Sequence, residues 1–381
     1  LADGDRVVLL GSTFIEREQS SGYFETALTT RFPGVNVQFR NLGWSGDNVF
    51  GEARAGFGTV EEGFKHLRDH LAQLKPTVVL LNYGANESFA GKAGLDGFLA
   101  GLNRLLKVVD ATGARVVFLT PPPQEDLGPP LPDPKQHNED LKLYSDAIGK
   151  VADQRGAAVV NLNELFSIKN LPRTAPITDN GLHLTPQGYW LATPQFERGL
   201  GLEDRTWQVV VDAARKNISA RGTQVSQARF GPGEVRFVAR DAVLPLCAAP
   251  EGIAPGTVAG SPRMLRVFDL PPGEYQLFID DQPVGTPAEA RQWALGMPIT
   301  AGPEFDQVER LRQEVLVKNE LYFHRWRPQN ITYLTGFRKH EQGNNAVEIP
   351  QFDPLVEARE QAIRSSSLPV EHTYRLARVE E

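Results

Sequence analysis

PTVVLLNYGANE, residues 76–87, decides the fold. A proline leads into an unbroken apolar run, and the run stops at a polar turn containing glycine. A run of this length with no apolar/polar alternation reads as a strand buried on both faces, as in a parallel sheet. Before it, residues 59–74 place Val60, Phe64, Leu67, Leu71 and Leu74 at steps of three and four, the spacing of an amphipathic helix. After it, residues 95–110 read as a second helix. RVVLLG (6–11), VNVQFRNLG (35–43), ARVVFLTPPP (114–123) and AAVVNLN (157–163) read as further strands, with helices over 20–31 and 137–155. Strands separated by helices predict a parallel sheet covered on both faces. In such sheets ligands sit beyond the carboxyl ends of the strands. That rule selects the loops after Gly11, Leu42 and Tyr83, together with the turn around His183.

The chain has 381 residues, which suggests two to three domains at roughly 150 residues each. Beyond residue 205 the texture changes. Residues 222–300 are rich in Gly, Pro and short β-like runs such as GEYQLFIDDQPV, and predict a small β-sandwich-like domain. Residues 301–381 contain a charged helix (303–323), an aromatic and Arg-rich segment (322–345) and a helical tail. They are expected to pack back on an α/β domain spanning 1–205.

Lys and Arg number 40 against 47 Asp and Glu, a net charge of −7. This argues against a nucleic-acid binder with a general basic footprint, though not against a local basic patch. No apolar run reaches membrane-spanning length. A single cysteine, Cys247, excludes an intrachain disulfide framework and a cysteine metal cluster. His66 and His70 stand four apart, but EEGFKHLRDHLAQL reads as an amphipathic surface helix, so no metal and no cofactor is expected. The printed chain begins LADGDRVVLL, without a signal-peptide pattern, a start that suits equally a mature chain after leader removal or an arbitrary boundary of the sequence.

Four short segments fall on the four selected loops, in order: GSTFIE (11–16), NLGWSGD (41–47), YGANE (83–87) and DNGLH (179–183). This arrangement resembles the SGNH hydrolase superfamily, the GDSL-like esterases and lipases, over about residues 5–200. The resemblance implies a flavodoxin-like three-layer α/β/α sandwich and ester hydrolysis, often on sugars or lipids. It also implies that Gly46 supplies a backbone N–H and Asn86 a side-chain N–H to an oxyanion hole, and that His183 is the catalytic histidine. Thr13 stands where the family has its nucleophilic serine. Asn180 stands where the family has its triad aspartate, with Asp179 one residue earlier, and Glu87 replaces the aspartate of the third block.

Thr is a hindered nucleophile, and an amide cannot stabilise an imidazolium as a carboxylate does. Three readings accommodate these departures. Ser12 is the nucleophile if the turn shifts by one residue. Asp179 reaches His183 if the Asn180-Gly181 turn bulges. Or the pocket runs a glycosidase-type or lyase-type reaction, with Glu16, Asp47, Glu87 and Asp179 serving with His183. Glu16, Asp47 and Glu87 are therefore expected at the substrate. So are Arg325, Trp326 and Asn330 of the aromatic segment, since rings stack on sugars and guanidinium or amide groups bind hydroxyls. The alternative for that segment is a seam in which arginines pack on aromatics. The leading expectation is acyl transfer on a carbohydrate ester. A non-catalytic carbohydrate-binding protein on a decayed hydrolase fold is the other class. The GSTF-type first block resembles that of large SGNH-like proteins of environmental bacteria, which implies a secreted or periplasmic place.

Overall fold

The computed structural model describes residues 1–56, 58–167, 176–254, 257–328 and 345–379. Five strands form a parallel sheet: β1 (Arg6–Gly11), β2 (Gln38–Gly43), β3 (Val78–Asn82), β4 (Arg115–Leu119) and β5 (Ala158–Val160). Their spatial order is β2-β1-β3-β4-β5. Helices α1 (Thr13–Ser21), α2 (Tyr23–Arg31), α3 (Val60–Leu74), α4 (Gly91–Asp110), α5 (Lys135–Arg155) and α6 (Pro186–Gly199) flank it.

The two-faced burial read from the sequence is visible residue by residue. Val7, Leu9, Val78 and Leu80 point into one core with Phe24, Tyr189 and Phe196 of α2 and α6. Val8, Leu10, Val79 and Leu81 point into the opposite core with Leu67, Phe98 and Tyr144 of α3, α4 and α5. Alternation between two apolar layers is what a doubly covered strand requires. The chain leaves β1 for β2 on one side and enters β3 on the other. The crevice between the ends of β1 and β3 is thus the topological switch point, where ligands bind in such sheets.

The chain then builds two further sheets. One contains β6 (Gln208–Asp212), β7 (Asn217–Arg221), β10 (Arg263–Phe268) and β13 (Met297–Ile299). The other contains β8 (Thr223–Gly231), β9 (Glu234–Asp241), β11 (Glu274–Ile279), β12 (Gln282–Glu289) and β14 (Glu371–Arg378). A short helix, α7 (Ala290–Leu295), packs beside them. The sheets share one core of Trp207, Val209, Phe237, Leu265, Leu277, Tyr374 and their neighbours. This β unit starts at Gln208, ahead of residue 222.

The 301–381 stretch divides between the two units. Helices α8 (Pro303–Trp326) and α9 (Phe352–Ser366) lie together, and α8 packs on α1, α2 and β2. Residues 371–378 instead insert as β14 between β11 and β9, at the middle of the second sheet. Lys318 of α8 reaches into the α/β core, its Nζ 2.7 Å from both carboxylate oxygens of Glu25 and 3.1 Å from the Phe39 carbonyl. Arg205 fixes the linker by pairing with Glu197 and donating to the Ala27 carbonyl at 2.7 Å.

Candidate active site

The site begins where β1 ends. Ser12 is the N-cap residue of α1 and Thr13 its first helical residue. Helix α1 lies directly over the end of β2: a Cβ on Gly43 would stand 2.1 Å from the Glu16 amide nitrogen, so only glycine admits this approach. The approach brings the turn after β2 alongside Thr13. Gly46, at φ +76°, turns its N–H onto Thr13 Oγ1 at 3.2 Å. From the end of β3, Asn86 Nδ2 donates to Ser12 Oγ at 2.8 Å and to the Asp47 carbonyl at 2.6 Å. Ser12 is buried with its hydroxyl held by Asn86, whereas Thr13 is half-buried. Two donors thus converge on the hydroxyls at the head of α1.

Buried charges beneath the loops aim these donors. Asp47 Oδ2 accepts from Arg54 Nε at 2.6 Å and from the Tyr83 hydroxyl at 2.8 Å. Arg54 also donates to the Leu42 carbonyl at 2.8 Å, which locks the 42–47 turn to its own ion pair. Glu87 accepts from the Val49 amide at 2.8 Å and the Gly84 amide at 2.9 Å, and burial raises its pKa. Its Oε1 ties the second loop to the third, and its Oε2 braces the third. Asp47, fully buried on Arg54, and Glu87, accepting from backbone amides, both brace the loops. Glu16 stays nearer the surface, accepting from the Ser45 amide and from Arg327 Nη1, each at 2.6 Å.

The DNGLH turn is a tight hairpin closed by a Thr178–Leu184 bridge and anchored by Glu125, which accepts from Thr178. Asn180 Oδ1 accepts from the amides of Leu182 at 3.0 Å and His183 at 2.9 Å. Those two N–H groups fix the amide's orientation, so its Nδ2 faces His183 Nδ1 at 3.2 Å. Nδ1 then accepts, and the imidazole proton resides on Nε2. Asp179 Oδ1 lies 3.9 Å from His183 Nδ1, while Oδ2 is paired with Arg17. Burial first, and then the Arg17 charge, lowers the His183 pKa, with Asp179 opposing. Among the described residues no hydrogen bond joins His183 to Ser12 or Thr13.

The aromatic segment packs against the α/β unit. Trp326 is buried, edge-on to Trp44 at 5.8 Å and to His70 at 5.3 Å. Arg325 pairs with Asp353 at 2.8 Å. Arg40 covers Tyr322, and Arg327 covers Trp44 at 3.8 Å. This end of α8 is a seam in which arginines pack on aromatics. Asn330 lies outside the described residues. His70 is packed in the same seam, where burial lowers its pKa to about 4.

Phe89, 64% exposed, stands three residues past Asn86 in the chain. It stacks on His137 at 4.0 Å, and Gln124 Oε1 lies 2.8 Å from His137 Nδ1. Sequence reasoning passed over Phe89 and Arg17. Arg17 stands one helical turn past Thr13, a spacing that marks it as facing the same loop.

Residues 11–191 match the model of the GDSL-like lipase/acylhydrolase family. No curated protein matches the chain. Among solved structures, a gut microbial diltiazem-metabolizing enzyme aligns with 100% of this chain and 98% of its own, at TM-score 0.76 and 16% identity, a likeness of fold. An acetylxylan esterase from Geobacillus stearothermophilus aligns with 53% of this chain and 96% of its own, at TM-score 0.41 and 16% identity. A putative SGNH hydrolase from Slackia heliotrinireducens aligns with 52% of this chain and 100% of its own, at TM-score 0.39 and 15% identity.

Proposed function

With residues 11–191 forming a hydrolase domain of the GDSL-like lipase/acylhydrolase family, we propose that the protein removes O-acyl groups from a carbohydrate by acyl transfer through Thr13. The observation that carries this reading is the convergence of the Gly46 N–H and Asn86 Nδ2 on the hydroxyls at the start of α1. Donors so placed stabilise the oxyanion of a tetrahedral intermediate, each worth about 2.7–4 kcal/mol in comparable sites. Thr13 is preferred to Ser12 because its hydroxyl is the more accessible of the two.

Thr13 Oγ1 attacks the ester carbonyl carbon and its proton passes to His183 Nε2. Collapse of the intermediate expels the sugar hydroxyl, which takes that proton. Water then hydrolyses the acyl-threonine by the same route. This cycle needs Nε2 free and Nδ1 protonated, the tautomer that Asn180 disfavours. Asp179 supplies the acceptor in this reading, closing from 3.9 Å when substrate binds. Catalytic hydrogen bonds are often long before substrate arrives.

The carboxylate-pair alternative is weakened because Asp47 and Glu87 are both engaged inside the protein. The carbohydrate reading is supported by Phe89, an exposed ring in the turn that follows Asn86, stacked by one face on His137. A secreted or periplasmic place belongs to the same proposal. Among the described residues no helix is long and apolar enough to cross a membrane. The test is acetate release from acetylated xylo-oligosaccharides, followed beside reducing-sugar release. Acid without new reducing ends supports the reading. New reducing ends without acid contradict it.

A further inference from the structure

One face of the second β sheet carries an unusual row of side chains. In β9, Val235, Phe237 and Ala239 enter the core, so Arg236 points outward. Its partner in β14 is Arg375, outward between Tyr374 and Leu376. Its partner in β8 is Arg229, beside the inward Phe230. Arg375 in turn pairs with Phe278 of β11. Phe278, Arg375, Arg236 and Arg229 therefore form one line across four strands, on a face open to solvent.

Like charges directly opposite each other on neighbouring strands destabilise a sheet. Only one end of this row is compensated. Arg375 lies over the Phe278 ring at 4.1 Å, with Glu234 at 3.8 Å and Asp281 at 3.7 Å. The side chains of Arg236 and Arg229 have no ion pair or hydrogen bond among the described residues. An arginine on the edge strand β8 is explained by protection against edge pairing. Arg236 lies on an interior strand, where that explanation fails. The cations also stand out in a chain of net charge −7.

We propose that this arginine row binds an anionic polysaccharide, one carrying carboxylate or sulfate groups along a single extended chain. The guanidinium fork matches a two-oxygen anion bidentately. Neighbouring strands hold the forks about 4.8 Å apart, so anions repeated along one strand of polymer meet successive arginines. The row is one side chain wide: the outward residues next to it along β9 and β14 are Glu234, Val238 and Thr373, and Asp281 stands at its Arg375 end. Duplex nucleic acid or a charged lipid surface calls for a broader basic footprint. The site is independent of the acyl-transfer reading, since none of its residues belongs to the α/β unit.

The test is native affinity electrophoresis of the whole protein in gels containing polygalacturonate, dextran sulfate or neutral xylan, with binding to duplex DNA and to phosphatidylserine vesicles measured in parallel. We expect retardation by polygalacturonate or dextran sulfate, weakening with salt, and none by xylan. Whichever of the two retards identifies the anion as carboxylate or sulfate. The double variant R229Q/R236Q should lose at least about tenfold in affinity. The charge-matched control K216Q/R291Q, off the row, should bind as the unaltered protein does. Hydrolysis of p-nitrophenyl acetate serves as the folding control and should be unchanged in both. The proposal is overturned by no retardation in either anionic gel, by equal loss in the control, or by DNA or vesicles binding as tightly as the polysaccharide.

Discussion

Replacing Asn180 with aspartate should convert the resting histidine into a working base. In the present structure Asn180 Oδ1 is fixed by the amides of Leu182 and His183, which leaves an N–H donor against His183 Nδ1 at 3.2 Å. Aspartate keeps the accepting oxygen and replaces the donor with a second acceptor. Nδ1 must then carry the proton, and Nε2 is freed. The opposite change in a Ser-His-Asp enzyme costs about 10⁴ in kcat, roughly 5.4 kcal/mol of barrier. In the proposed cycle Asp179, now 3.9 Å from Nδ1, takes over part of this role, so Asn180→Asp should raise kcat by about 10- to 10⁴-fold. The new carboxylate also favours the imidazolium, and the His183 pKa, now lowered by burial and Arg17, should rise. The acid limb of kcat/KM therefore moves to higher pH. Hydrolysis of p-nitrophenyl acetate from pH 4 to 9, with an imidazole titration by NMR, reads both effects. An unchanged kcat with an unmoved acid limb would refute the tautomer argument.

Asn86→Ala should lower kcat by about 10²–10³ with little change in KM, because the bond strengthens mainly in the transition state; steady-state kinetics on the same ester checks it. Lys318→Met strands the Glu25 carboxylate in the core and should cost about 3–5 kcal/mol in urea unfolding, whereas E25L/K318M, which removes both charges, should recover most of that loss. Glu18 is buried and its pKa is raised from 4.5 to about 8. The folded state thus holds a proton that the unfolded chain releases. That stabilisation is complete below about 4.5 and lost as pH rises through about 8. Glu18→Gln keeps an acceptor for the Phe24 amide and should flatten the decline in the urea midpoint between pH 5 and pH 8.

The parallel sheet was legible because its strands are buried on both faces and therefore read as continuous apolar runs. The first helices were less so. A single helix over 20–31 was expected, and instead Gly22, at φ +68°, ends α1 and opens α2. β14 escaped notice although His372, Tyr374 and Leu376 alternate inward, because its partners lie more than 90 residues away in sequence. At the site, motif order located the loops, but residue type alone could not say which way a side chain turns. Asp47 and Glu87 look like pocket carboxylates until Arg54 and the Val49 and Gly84 amides are seen to hold them. Trp326 and Arg325 look like sugar ligands until Trp44 and Asp353 are seen against them. Such pairings are tertiary facts that no local spacing encodes.

The central claim, acyl transfer through Thr13, is tested most directly by a fluorophosphonate probe, which reports an activated hydroxyl. Peptide mass spectrometry after exposure should find the adduct on Thr13, weak in the unaltered protein, strong in Asn180→Asp and absent in Thr13→Ala. An adduct on Ser12, or none in Asn180→Asp while acetate is still released from the sugar, would contradict it.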